Sequence, residues 1–444
     1  MVINQSKMML KKYTIALALV ASGLGSYAQD VNKLIQQNDV ERLIKTLSAD
    51  DMQGRGTFTP GIDKAATFIE GEFKKIGLQP LKGNTGYRQI FTVYRTTPTL
   101  MQVSIEGQPI AANNIAIAGG ADFTWKNDAD VQVVKIAAGQ NFQTEYRTYM
   151  RSGKKTLMLI DPQFEAIFKQ LHSRFADGNV SMKEPIVANS NQQVVMVLGS
   201  FGEVKNFEVN FKIKLDNPPI FNVAGMLPGK SKPDEYVVFS GHYDHLGIRP
   251  AMEGDSIANG ADDDASGTTA VISLAKYYKK LNNNERTLIF VAFTAEEIGG
   301  YGSQYFSKQL DPEKTVAMFN IEMIGKTSKF GQNTAFITGY ERSDFGEILQ
   351  RNLEGTAFKF HPDPYPEQNL FYRSDNATLA RLGVPAHTIS TDQIDTDKLY
   401  HSVKDEFGSL DVANITATIR AIALSSRSIV AGKDSPKRIA KLER

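Results

Sequence analysis

Five short segments of this chain end apolar runs in carboxylates or a histidine. They are Gly241-His242-Tyr243-Asp244-His245, Gly260-Ala261-Asp262-Asp263-Asp264-Ala265-Ser266-Gly267, Ala295-Glu296-Glu297, Asn320-Ile321-Glu322-Met323-Ile324-Gly325 and Tyr400-His401. Buried carboxylates are costly unless something cationic neutralises them, and a divalent ion takes three or four N and O ligands from distant parts of a chain. One such segment would mean little. Five in succession, each at the mouth of an expected strand, point to a two-metal centre of the kind that activates water. The chain has no cysteine. That excludes disulfides, a thiol nucleophile and thiolate ligands, so a metal here must be held by His, Asp and Glu.

Each segment has a plainer competitor. Of the six histidines (172, 242, 245, 361, 387 and 401), most lone ones are expected to be hydrogen-bonded structural residues. His242 differs because it ends a strand and Asp244 follows two residues later; a carboxylate on the far ring nitrogen would fix the tautomer of a ligand. His245 and His387 keep the structural reading. For Asp262-Asp263-Asp264 the competitors are a solvated acidic turn and a calcium loop. Asp262, Asp264, Ser266 and Gly267 fall at positions 1, 3, 5 and 6 of an EF-hand, but Ser273 stands at position 12, where a bidentate Glu belongs. Glu296-Glu297 can be an acidic helix start. Adjacent residues at a strand end also point in different directions, so one can ligate while the other faces a reacting water. There is no Gly-x-Ser-x-Gly elbow, His-Glu-x-x-His helix or phosphate-cradling P-loop.

The elements that must position these residues are legible as texture. From residue 222 the chain alternates strand and helix. Residues 236–240 and 287–293 are near-continuous apolar runs, as in strands buried on both faces, and 315–319 and 386–390 are further strand candidates. Val271, Leu274, Ala275 and Tyr278 line one face of a helix beginning near Ser266. The fold class expected is therefore α/β, a mainly parallel central sheet flanked by helices, with its ligand site beyond the carboxyl ends of the strands. Upstream, an amphipathic pattern over 32–50 and a helix opening at Thr59-Pro60 flank a flexible turn, Asp50-Asp51-Met52-Gln53-Gly54-Arg55-Gly56. Residues 95–213 read as an inserted, mostly β module (100–105, 131–136, 156–160, 193–198 and 209–213), and the basic residues after 433 as a solvated helix end.

At 444 residues the chain is long enough for such a domain with an insertion. Lys+Arg 50 against Asp+Glu 49 leaves a formal charge of +1, too little for a global field that attracts nucleic acid or an anionic membrane. Lys7, Lys11 and Lys12 precede an apolar stretch over 13–24 and then Ser26-Tyr27-Ala28, the pattern of a signal peptide over 1–28 cleaved before Gln29. The expectation is an exported protein, periplasmic or secreted, whose mature chain has no membrane span. The organisation expected is 29–94 and 214–433 as one catalytic domain around the insertion, with 434–444 a basic tail.

His242-Tyr243-Asp244, the Gly260–Gly267 loop, Glu296-Glu297, Asn320-Ile321-Glu322 and Tyr400-His401 together resemble the motifs of the co-catalytic di-zinc exopeptidases. That family includes secreted bacterial leucine-type aminopeptidases, aminopeptidase Y and glutamate carboxypeptidase II. The likeness runs from about residue 30 to 430 and takes in Gly54-Arg55-Gly56; the insertion resembles a protease-associated module. The resemblance implies two Zn2+. Asp263 would bridge them, Glu297 and His401 would complete one site, and His242 and Glu322 the other. Glu296 would be the general base, and Asp244 would orient His242. The substrate implied is a peptide cut at its N-terminus. Glu322 stands where the secreted aminopeptidases usually have Asp, and the middle aspartate is chosen as bridge on the resemblance alone. A single-zinc glutaminyl cyclase, a carboxypeptidase or dipeptidase, and a non-catalytic receptor-like member are the alternatives. Phe371, Tyr372, Arg373 and Asp375 are candidates for the pocket wall, against a plain surface loop.

Overall fold

The computed structural model describes residues 31–176, 178–184 and 193–442. The expected signal peptide lies outside them. The chain divides into two compact units: Thr92–Pro219, and the described residues up to Phe91 together with those from Ile220 onward.

The larger unit is built on a nine-stranded sheet. Its centre runs Arg286–Phe293, Lys232–His242, Thr315–Ile321, Ala386–Ser390, all mutually parallel. Antiparallel neighbours flank these four, Pro219–Leu227 on one side and Thr334–Ile337 on the other, so the sheet as a whole is mixed. Side chains alternate between the two faces. Val237, Phe239, Phe290, Phe319 and Ile321 pack under the helices Pro60–Ile76, Gly267–Leu281 and Val412–Ser425. Val238, Ile289, Val291, Phe293 and Met318 pack on the other face with Phe306, Leu379 and Ala380. Both faces being covered is why these strands read as unbroken apolar runs.

In chain order the four parallel strands begin with Lys232–His242, yet in space the first lies between the second and the third. The connections therefore leave in opposite directions from the first and third strands, opening a crevice beyond their carboxyl ends. His242 and Glu322 stand at those two ends.

Three local expectations need correcting. The segment Asp50–Arg55 is a short 3-10 helix whose Arg55 is fully buried, not a flexible turn. The described residues after 433 are not helical; Ile439 is buried, its N–H donating to Gly383 O, because an apolar side chain there completes the second core. The Thr92–Pro219 unit carries a four-stranded and a five-stranded sheet but also two helices, Phe142–Met150 and Glu165–Ala176, which supply Phe142 and Phe168 to its own core.

Candidate metal centre

The three adjacent aspartates have three different neighbourhoods. Asp264 accepts N–H groups from His242 (3.1 Å), Gly267 (3.0 Å) and Met323 (3.1 Å), tying the first strand to the third and capping a helix. Asp262 accepts the Gly325 N–H at 2.7 Å and faces Lys326 Nζ at 3.2 Å. Only Asp263 reaches both histidines: its Oδ1 lies 3.1 Å from His242 Nε2 and its Oδ2 3.4 Å from His401 Nε2. The Asp263–Asp264 peptide is cis.

Two ligand sets share that carboxylate. His242 Nε2 also lies 3.2 Å from Glu322 Oε1, and His401 Nε2 lies 3.1 Å from Glu297 Oε2. All five residues proposed as ligands are thus together, and the longer Glu322 side chain spans the distance to His242. The general-base candidate Glu296 adjoins them on the wall of a 350 Å³ cavity that also meets Asp263, Glu297, Glu322 and His401.

One role differs from expectation. The far nitrogen of His242, Nδ1, is held by the backbone carbonyl of Asp244 at 3.0 Å, while the Asp244 carboxylate lies 3.8 Å away. That carboxylate is engaged elsewhere, accepting the N–H groups of Glu296 (3.1 Å) and Glu297 (3.3 Å) and the Thr57 hydroxyl. Asp244 therefore orients the glutamate pair directly and His242 through its main chain. His245, read as structural, is also at the centre: Nδ1 sits 2.7 Å from Glu297 Oε1, steering that carboxylate. No spacing rule singled it out, although it directly follows Asp244. His387 keeps its structural role between Thr338 O and Ser343 Oγ. Asp375 and Phe371 are buried and Arg373 lines the cavity, so that segment is a wall rather than a free loop.

Strain and buried charge converge here. Ala295, Met323 and His401 all adopt positive φ (58°, 49° and 56°), each at a cost of about 1–3 kcal/mol that the surroundings must impose. Beneath the aspartate loop the Arg55 guanidinium donates to the carbonyls of Leu47, Tyr243, Asn259, Gly260 and Asp263. That one buried cation faces a larger set of carboxylates.

The imbalance shows in the protonation equilibria. Burial, reinforced by Glu322, Asp375 and Glu297, pushes Glu296 well above the ordinary carboxylate range. Burial lifts Asp244 to about 6. Burial also works against ionised Asp263, but hydrogen bonds from His242 and His401 outweigh it and hold that carboxyl well below its usual value. Burial opposes a charged His401 as well, yet Asp263 and Glu297 raise it to about 10. Protons thus occupy the positions where a cation would be most strongly favoured. An all-N/O set of two triads meeting at one carboxylate fits two divalent ions of zinc type.

Comparison with known proteins agrees. Residues 222–425 match the model of peptidase family M28. Over those residues the chain is similar to the M28 peptidases. A probable zinc metalloprotease of Leptosphaeria maculans is 30% identical over 151 residues, a third of each chain. Leucine aminopeptidase 1 of Pyrenophora tritici-repentis is 28% identical over 200 residues, 42% of this chain and 49% of that one. The chain spans about a third of the length of the zinc metalloproteases it matches. Among solved structures, an aminopeptidase from Aneurinibacillus sp. strain AM-1 superposes with a TM-score of 0.57 at 17% identity, covering 93% of this chain and 97% of that one. A zinc aminopeptidase from Bacillus subtilis gives 0.57 at 18%, covering 92% and 99%. These establish the M28 fold.

Proposed function

We propose that this protein is an exported zinc aminopeptidase that removes N-terminal residues from peptides, using two metal ions and Glu296 as general base. The observation that carries this is the single carboxylate of Asp263 facing His242 on one side and His401 on the other. A one-metal cyclase has no need of that bridge, and a receptor-like member has no need of four further ligands around it. The names of the aminopeptidase relatives support the reaction class. The Thr92–Pro219 unit is the protease-associated-like module of this reading.

His242 with Glu322, and His401 with Glu297, would each hold one zinc, with Asp263 common to both. Two such ions supply Lewis acidity toward the scissile carbonyl and toward the attacking water. Glu296 takes the proton of that water and delivers it to the departing amine, a task suited to a carboxyl whose pKa is raised by burial. Asp244 holds the main chain of Glu296 and Glu297 so that one faces the water while the other ligates. The test is zinc analysis coupled to a panel of peptides with free and acetylated N-termini. Two zinc equivalents and cleavage abolished by acetylation are expected; cleavage of acetylated peptides at an equal rate rejects the aminopeptidase reading.

A further inference from the structure

The cavity beside the metal centre has apolar walls of Met323, Phe336, Leu370 and Ile394, but Asp392 also lines it. Asp392 is only 4% exposed, and its Oδ1 has no hydrogen-bond partner. Behind it, oxygens of Asp262, Asp392 and Asp397 lie within 4.8 Å of one another. One ammonium serves all three. Lys326 Nζ pairs with Asp397 and lies 3.2 Å from Asp262 Oδ2, and no ion pair joins it to Asp392 among the described residues. Asp392, the member of the cluster that lines the cavity, shares a hydrogen bond with Asp397 and feels Lys326 only at longer range, so it has no cation of its own.

Resting on the aminopeptidase reading, we infer that this cavity receives the side chain of the N-terminal residue and that Asp392 selects a cationic one, lysine or arginine, whose aliphatic stem packs against the apolar walls. A buried unpaired carboxylate is costly, and an ammonium or guanidinium entering along apolar walls removes that cost while burying its own methylenes. Burial, with Asp262 and Asp397, pushes Asp392 up to about 8 against the pull of Lys326. A neutral side chain leaves it with only the hydrogen bond to Asp397 and no counterion. Sites built for a polar partner discriminate more strongly than apolar ones do.

The experiment compares kcat/KM for Lys-, Arg-, Leu- and norleucine-p-nitroanilide; norleucine keeps the length of lysine's stem without its charge. For the wild-type enzyme lysine should exceed norleucine by about tenfold or more. In Asp392→Asn the lysine-to-norleucine ratio should collapse toward unity. A wild-type preference for leucine or norleucine overturns the inference with no variant needed. So does a uniform loss on all four substrates in Asp392→Asn, which is a structural effect, or a third bound metal equivalent that the variant loses, which makes the cluster a metal site. Failure to cleave any of the four removes the aminopeptidase reading itself, and this inference with it.

Discussion

At the scale of single residues, one carboxylate, Asp263, faces both halves of the site, and Glu296 is the proposed proton carrier. Glu296→Gln keeps size and shape but cannot accept a proton, and Glu296 is outside the two ligand triads. We expect it to retain wild-type zinc while losing roughly 10²–10⁴-fold in kcat; wild-type turnover would exclude the role. Chelation provides a second check. In the metal-free protein Asp244, Glu296 and His401 all have folded-state values above their ordinary ones, so the native state binds more protons than the unfolded chain. Stability from these groups is complete below their unfolded pKa values and is lost as pH rises through the folded ones. The chelated protein should melt at lower temperature at pH 8 than at pH 5.5, and added zinc should recover more at pH 8, because binding must expel those protons. A melting temperature of the chelated protein that rises over this interval would contradict the assignment. The same residues show what sequence could reveal. His242, Glu297 and Glu322 stood out because each follows an apolar strand run, whereas Asp263 and His401 lie in loops and were assigned by the resemblance. His245 did not stand out, since its partner Glu297 is 52 residues away, and the choice among three aspartates depended on loop geometry that no spacing encodes.

Elements turn these residues into a site by placing loops at a sheet's switch point. The central strands were legible because both faces are buried. The strands Thr334–Ile337 and Lys359–Pro362 at one end of the sheet were not, being four residues long and, in the second, half polar. The helix Phe142–Met150 escaped because its core-facing stripe is only half-buried beyond Phe142 and consists largely of tyrosines, Tyr146 and Tyr149; its other signal was the Asn141 cap. A particularly tight junction between elements is Gly267, which opens the helix after the aspartate loop. A Cβ there would fall within 3.0 Å of Ile321 O and of both Asp264 carboxylate oxygens. None of these can yield without moving the strand that carries Glu322 or the loop that carries Asp263. Gly267→Ala should therefore destabilise by about 1–3 kcal/mol through overpacking and weaken zinc retention in the same variant. Denaturant melts and metal content measured together would separate this from a simple propensity effect, since alanine is the better helix former and on propensity alone would stabilise.

Across the whole molecule, chemistry and bulk are unevenly divided. Each unit has its own hydrophobic core, built around Phe239 and Val238 in one and around Trp125 and Phe168 in the other. Every proposed ligand, the general base and the buried Arg55 belong to the unit outside Thr92–Pro219. A ligand that binds a native state stabilises only the cooperative unit containing its site. Calorimetry should resolve two transitions, because a chain with two separate cores departs from two-state unfolding. EDTA should lower one and leave the other in place, and titrating zinc back should return only that one. If chelation moved both transitions equally, the two cores would unfold as one, and the insertion would be part of the scaffold that holds the metals rather than a unit added to it.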